Sequence, residues 1–391
     1  MNSSPSISRI VELLLAGPRG LRFLLEYALA SELERNPVRT DETFGQAVVY
    51  ASHRLDPDEM TASAVFGWVT SDGQPFEVTV DEVAQRLKTL ELLEPTPWRL
   101  RHAVGAAVDS ARYWQEPEGA DILAATPEML SELHRVAAHI APSSFITWWC
   151  TPIDRSGQYA VRWQETPLKT IPENVQETLL AARHQIRTEE RRAQAERDAD
   201  PTAESSGEWW SHPCFTLPSS TRLLSGDLPA GLRFVEDSLG WEHADSVEVI
   251  VPQGLRVFEI EDAADWVELC TRFPIEVTAQ KRHDWYLTTG HTGRWVVPDW
   301  VQVAQHYDGI HLQVGAYLAA AGVAIPIDDS PGTASMIAGW NPDETYWLSS
   351  DITYGHLQTQ WALVDAGTDV VWKPAATRRR QQSRRHKEGS E

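Results

Sequence analysis

Apolar residues return at three- and four-residue intervals through the first third of the chain. Ile10, Leu13 and Leu14 keep that spacing until Gly17-Pro18 interrupts it, and Leu21, Leu24, Leu25, Ala28 and Leu29 resume it as far as Asn36-Pro37. Two consecutive helices are expected there. Thr79 and Glu82 stand at capping-box spacing ahead of Val83, Leu87 and Leu90, which opens another helix. Leu100, Val104, Ala107, Val108 and Ala111 give residues 98–114 one apolar side. Thr126-Pro127-Glu128 supplies a cap, a first-turn proline and an acid to a helix bearing Leu130, Leu133, Ala137 and Ile140. Residues 1–142 therefore read as a mainly helical domain, with a small hairpin from 65–69 and 76–80 within it.

The period changes at Pro142. Phe145 to Trp149 is β-branched and aromatic and Tyr159 to Trp163 alternates, so both predict strands, with a turn over Asp154 to Gly157. Residues 173–198 return to a helical period with a narrow stripe of Val175, Leu179, Ala182 and Ile186 among many charges. That pattern predicts a solvent-exposed helix, followed by a flexible linker from Asp200 to Gly207. This strand pair, charged helix and linker occupy 143–207. Beyond them the pattern is α/β over 208–374. Arg256 to Ile260 is a short apolar run, Asp262 caps a helix through Trp266, Leu269, Cys270 and Phe273, and Pro298-Asp299 opens a second. Gly309 to Val314 alternates strictly, predicting a half-buried strand with His311 and Gln313 turned away from the apolar core. Met336 to Trp340 and Glu344 to Leu348 read as short strands around the turn Asn341-Pro342-Asp343. The fold class expected is α+β: a helical N-terminal domain, a charged helical connector, and a C-terminal mixed β-sheet flanked by helices.

Composition sharpens this in two ways. Seventeen tryptophans against four methionines supply rigid aromatic surface for cores or for stacking. A formal net charge of -22 repels nucleic acid and anionic membranes over most of the surface. The exception is residues 375–391, where Arg378-Arg379-Arg380 and Arg384-Arg385 lie in a segment without apolar period, read as a disordered basic tail. Three widely spaced cysteines suit neither a disulfide framework nor a zinc knuckle. The polar first residues lack a secretory pattern, and no apolar run reaches spanning length. A cytoplasmic protein is expected, and its oligomeric state is left open.

Motifs are few. There is no Gly-x-Gly-x-x-Gly, P-loop, His-Glu-x-x-His or Gly-x-Ser-x-Gly, which removes dinucleotide dehydrogenases, P-loop NTPases, zincins and α/β-hydrolases as leading readings. His283, His291, His306 and His311 have no spacing that makes them converge, so no metal site is expected. Arg282, His283, Trp285, Tyr286, His291 and Arg294 read as an aromatic and cationic loop around Gly290 and Gly293, a ligand-binding surface or a loop packed on its own tryptophans. Glu344 opens a strand after a turn, where its carboxylate stands at a sheet rim beside Asp343, a like charge able to raise its pKa.

One resemblance carries chemistry. Ser219-Ser220-Thr221, Arg256 to Ile260, Trp300 to Leu312 and Asp343 to Leu348 resemble uncharacterised bacterial proteins from high-GC genomes, and the C-terminal half resembles the ADP-ribosyltransferase superfamily. In that superfamily a Ser-Thr-Ser-like strand supports an NAD pocket and a glutamate opening a late strand is catalytic. The resemblance thus implies NAD as ligand, Ser219, Ser220 and Thr221 in its pocket, and Glu344 as the catalytic carboxylate. His212 stands in for the family's first-strand arginine or histidine. The activity implied is mono-ADP-ribosyl transfer to an acceptor, or NAD glycohydrolysis. The alternative is a non-catalytic interaction module that recognises a protein partner through its aromatic surface.

Overall fold

The apolar stripes of the first third close into a helical layer. In the computed structural model, which describes residues 6–37, 42–57, 78–164, 166–327, 332–365 and 370–375, the first two helices run Ile7–Ala16 and Pro18–Arg35. Helices Phe44–Leu55, Pro97–Asp109 and Pro127–Ile140 pack on them, and Val80–Thr89 packs on Phe44–Leu55 and Pro127–Ile140. The Thr79/Glu82 capping box forms as its spacing requires, and Pro97 and Pro127 each sit at the first helical position. Val80 begins a helix, so it belongs to no hairpin strand. Most of the expected hairpin lies outside the described residues.

The pair Arg19–Asp121 is almost wholly buried and ties the second helix to the short helix Gly119–Ala124. Arg19 also donates to Ala107 O at 2.9 Å, so the guanidinium is shared among three helices. Such a pair is costly to break once buried.

Two sheets follow. In the larger, the strands run β13 (Val370–Pro374), β12 (Thr353–Asp365), β4 (His243–Ile250), β1 (Gln158–Trp163), β2 (Ser219–Leu224), β11 (Thr345–Trp347), β8 (Gly309–Leu312), β5 (Val257–Ile260), with β3 (Leu228–Pro229) hooked onto β2. Most pairings are antiparallel; β5 and β8 are parallel. The smaller sheet orders β6 (Pro274–Glu276), β7 (Arg294–Pro298), β10 (Thr333–Ser335), β9 (Ile325–Pro326). The architecture is α+β, with N-terminal helices and a C-terminal sheet region. Among the described residues, no helix is long and apolar enough to cross a membrane.

Helix Val314–Ala320 joins the two regions by packing on the first two helices. The approach is close: a Cβ on Gly17 would stand 2.3 Å from Ala319 O, so only glycine admits it. The main apolar core is continuous from Ile10 and Phe23 to Trp266, Trp340 and Leu348, and two smaller clusters, around Val249 and around Trp361, lie on the large sheet.

Three local expectations are corrected. Phe145 to Trp149 belongs to a 3-10 helix, Ser144–Cys150, whose cap is the Ser143 hydroxyl; aromatic and β-branched content favours strands, but a local cap decided here. Met336 to Trp340 forms only an isolated bridge at Ile337. The Arg282–Tyr286 cluster is part of a helix, Thr278–Thr289, closed by Gly290 in the left-handed conformation, and His283, Asp284 and Trp285 are buried. The charged helix Val175–Glu196 exposes most of its residues, as expected, and turns only a narrow stripe inward. Its stripe closes on the helices Thr278–Thr289 and Trp300–Val303. The Glu190 carboxylate accepts from the N–H groups of Ala279 and Gln280, at 2.8 and 3.0 Å, supplying the cap that Val277 lacks.

Candidate functional site

Strands β2 and β11 lie side by side, with Ser219 opposite Tyr346 and Ser220 opposite Thr345. This pairing brings Glu344, at the entry to β11, to the end of β2. A cavity of about 490 Å³ opens on this face of the sheet. Glu344, Ser219, Ser220 and Thr221 all line it, with Lys169, Asn341 and Glu236, under walls of Trp163, Trp209, Trp210, Trp241, Phe215, Tyr346 and Tyr354.

The turn before β11 sets the position of Glu344. Asp343 takes a left-handed backbone, φ 63°, which non-glycine residues adopt rarely and aspartate more readily than most. Its carboxylate is buried and accepts from Arg222 N at 2.8 Å and Arg222 Nε at 2.5 Å. On the other side, His311 Nε2 lies 3.4 Å from Asp343 Oδ1 while Nδ1 lies 2.5 Å from Glu259 Oε2. Arg222, Asp343, His311 and Glu259 thus form a chain of alternating charge beneath the turn. Burial alone would push the His311 imidazolium down. The two carboxylates outweigh it and raise its pKa to about 9.

His311 does face away from the apolar core, but the strand is not half-buried as expected. All four residues of β8 are buried, because β8 lies between β5 and β11 with both faces covered. The alternation Ile310-His311-Leu312 reports an apolar face and a buried ionic face, not a wet one.

Asp343 therefore points away from Glu344 into the network, and it is not what raises the Glu344 pKa. Burial raises it. Lys169, a hydrogen bond from the Ser219 hydroxyl and the Asn341 amide and backbone pull the other way. Asn341 Nδ2 donates to Glu344 Oε2 at 3.1 Å, and Asn341 Oδ1 accepts from Glu236 N at 3.0 Å. One amide thereby holds the two glutamates in register. Lys169 is in turn lowered by desolvation, and its Nζ sits 5.4 Å from the Tyr346 ring centre.

Of the three hydroxyls in the Ser219-Ser220-Thr221 run, only Ser219 serves the carboxylate. Ser220 donates to Gln158 and accepts from Trp347 Nε1, at 2.7 and 2.8 Å. Thr221 Oγ1 accepts from Gly231 N at 2.9 Å. Both tie strands and loops to the cavity wall. His212 does not reach this cavity. Its ring stacks on Tyr346 at 4.9 Å between centres, and it lines a second cavity on the far side. Gly339, at φ 68°, lets the backbone pass within reach of Trp210, where a Cβ would meet Trp210 Cβ at 2.5 Å.

Glu236 is the residue that sequence reasoning missed. It is 8 % exposed, and desolvation pushes its pKa up to about 8. Neither carboxylate oxygen has a hydrogen-bond partner of good geometry. The only signal in the sequence was an acid following Phe234-Val235, too little to separate it from any other. Among the described residues, no three His, Cys, Asp or Glu side chains converge as a metal site requires.

Compared with known proteins, the chain matches no family model, no curated protein and no solved structure.

Proposed function

We propose that the cavity over Glu344 binds NAD and breaks its bond to nicotinamide, transferring the ADP-ribosyl group to an acceptor, a protein among the candidates, or to water. The observation that carries this reading is the setting of Glu344: a buried carboxylate at the entry to β11, held by Asn341, with Lys169 and Ser219 favouring its ionised form, in an aromatic-walled cavity. The residues suit the ligand. Tyr346 and the tryptophans offer flat faces for a pyridine ring, Ser219 a hydroxyl, and Lys169 a cation for a phosphate. When bound, NAD supplies a glycosidic bond whose cleavage leaves positive charge on the ribose. A fixed carboxylate meets that charge without reorganising. Glu344 does this only when ionised, so Lys169 acts in a second way, keeping a desolvated acid from staying protonated. Asn341 holds one of the two carboxylate oxygens, and the aromatic walls flank the reacting bond. A cytoplasmic location belongs with this reading.

The test is Glu344→Gln. Substituting the near-isosteric amide lowers the rate of nicotinamide release about 10²–10³-fold while leaving NAD-dependent thermal stabilisation in place. Wild-type turnover by that variant defeats the proposal.

A specific feature favours the second reading, an interaction module. At the cavity mouth Trp163 and Trp241 stack at 4.7 Å with 13° between planes, Trp372 lies 5.8 Å from Trp163, and Leu239 is 73 % exposed. The three tryptophans are half-buried, and such aromatic surface beside an exposed leucine is of the kind that anchors protein partners. Stabilisation of the wild-type protein by NAD speaks for the enzyme; none speaks for the module.

A further inference from the structure

The second cavity, of about 840 Å³, lies between the charged helix Val175–Glu196 and the body of the C-terminal region. It shares only the Trp210–Phe215 wall with the first. Its apolar lining comes from Leu179, Ile186 and Val277, and its flat faces from Trp210 and Trp300. A cavity of this size lined by apolar and aromatic side chains with a few polar groups is the ordinary form of a small-molecule site.

The polar groups say what the ligand must bring. Gln280 is 1 % exposed and lines this cavity. Its Nε2 donates to Ile186 O and to Glu190 Oε2, at 3.2 and 3.3 Å, which fixes the sense of the amide. Its Oε1 meets no donor. His212, 4 % exposed, lines the same cavity. Its Nδ1 lies against the Pro213 carbonyl. A carbonyl can only accept, so Nδ1 carries the proton and Nε2 presents a lone pair. Burial holds the ring pKa down at about 3, keeping it neutral. Nε2 also meets no donor. Buried acceptors without partners are rare and ask for an explanation.

The cations in the wall are already engaged. Lys281 Nζ donates to Glu208 O and Trp210 O, at 2.7 and 2.8 Å, and Arg183 pairs with Asp299 at 3.3 Å. Glu173 and Glu177 stand at the rim. The lining carries four acids, Glu173, Glu177, Glu208 and Asp299, against two cations, Arg183 and Lys281, so an anionic ligand meets a net negative wall. A donor-bearing cation would meet unused acceptors and aromatic faces.

We propose that this cavity is a second ligand site, separate from the Glu344 cavity, and that it takes a small organic amine carried on an apolar or aromatic body, with its N–H groups donated to Gln280 Oε1 and His212 Nε2. The proposal is independent of what the Glu344 cavity does.

Tryptamine and its acidic isostere indole-3-propionate are the probes, read by thermal unfolding and by equilibrium dialysis at pH 7.4. Tryptamine at a hundred times its Kd raises Tm by several degrees, and indole-3-propionate binds at least tenfold more weakly. Gln280→Leu, which removes one acceptor, weakens tryptamine about tenfold. Because that change also removes two internal hydrogen bonds, Ala182→Trp serves as the second variant. It fills the cavity from a half-buried helical position with no polar role, and it abolishes binding. Glu344→Gln leaves tryptamine binding unchanged. Absence of any tryptamine-dependent shift overturns the proposal, as does equal affinity for the acid, full binding by folded Ala182→Trp, or loss of binding in Glu344→Gln.

Discussion

Replacing His311 with glutamine tests the charge chain beneath the turn that carries Glu344, and the structure gives both the sign and the size of the effect. The imidazole is 1 % exposed and sits between Glu259 and Asp343. Its pKa is raised from 6.5 unfolded to about 9 folded. A base held above its unfolded value binds its proton more tightly in the folded state, so its contribution is complete below pH 6.5. That contribution is lost as pH rises through 9, and it is absent above. At 1.36 kcal/mol per unit, the full contribution is about 3 kcal/mol. Urea denaturation of wild type and His311→Gln at half-unit steps from pH 6 to 10 measures it. Comparing the two proteins cancels Lys281 and Glu236, which also titrate near pH 8. The stability gap between wild type and variant should shrink by about 3 kcal/mol between pH 6.5 and 10. A gap that is constant with pH, or that widens, would show that the histidine is neutral in the fold and that Arg222 alone neutralises Asp343.

Other perturbations follow from the same geometry. Glu344 has a raised pKa, so ionising it destabilises the fold as pH rises from the unfolded carboxylate value through the folded one; Glu344→Gln should unfold at a temperature no lower than wild type at pH 7, by calorimetry. Lys169→Met should shift the acidic limb of the rate profile to higher pH, since Lys169 favours the Glu344 carboxylate; an unmoved limb would remove Lys169 from the site. Arg19→Met leaves Asp121 buried without its principal cation and should cost roughly 3–5 kcal/mol in urea denaturation, against about 1 kcal/mol for removing the Thr79 cap with Thr79→Ala. Limited proteolysis should nick 198–207 first, yet the fragments should co-elute on a sizing column, because the apolar core spans both sides of the cut; separate elution would mean that the two regions are independent.

What the sequence revealed divides along a physical line. Helices announced by their own ends were legible: the Thr79/Glu82 capping box, the Asp262 cap and the Thr126-Pro127 start are local signals that need no tertiary partner. The strand pair that brings Ser219 to Glu344 left two faint traces, a run of hydroxyls and an acid after a turn. What joined them was a nonlocal register, Ser219 opposite Tyr346. The face of His311 was legible but its burial was not, because alternation counts faces and cannot tell water from a buried ionic network. Only the positions of Arg222 and Glu259, distant in sequence, decide that. Glu236 was invisible for the same reason, since nothing near it in the chain foretells that its carboxylate is closed off beside Tyr317 and Asn341. The ion chain also explains why the site can exist. A left-handed aspartate and a desolvated glutamate in succession would each disfavour the turn, yet Arg222 and His311 fasten Asp343 from opposite sides while Asn341 and Ser219 hold Glu344. The stabilisation spent beneath the sheet fixes the carboxylate above it, which ties the pH dependence of His311 to the geometry of Glu344.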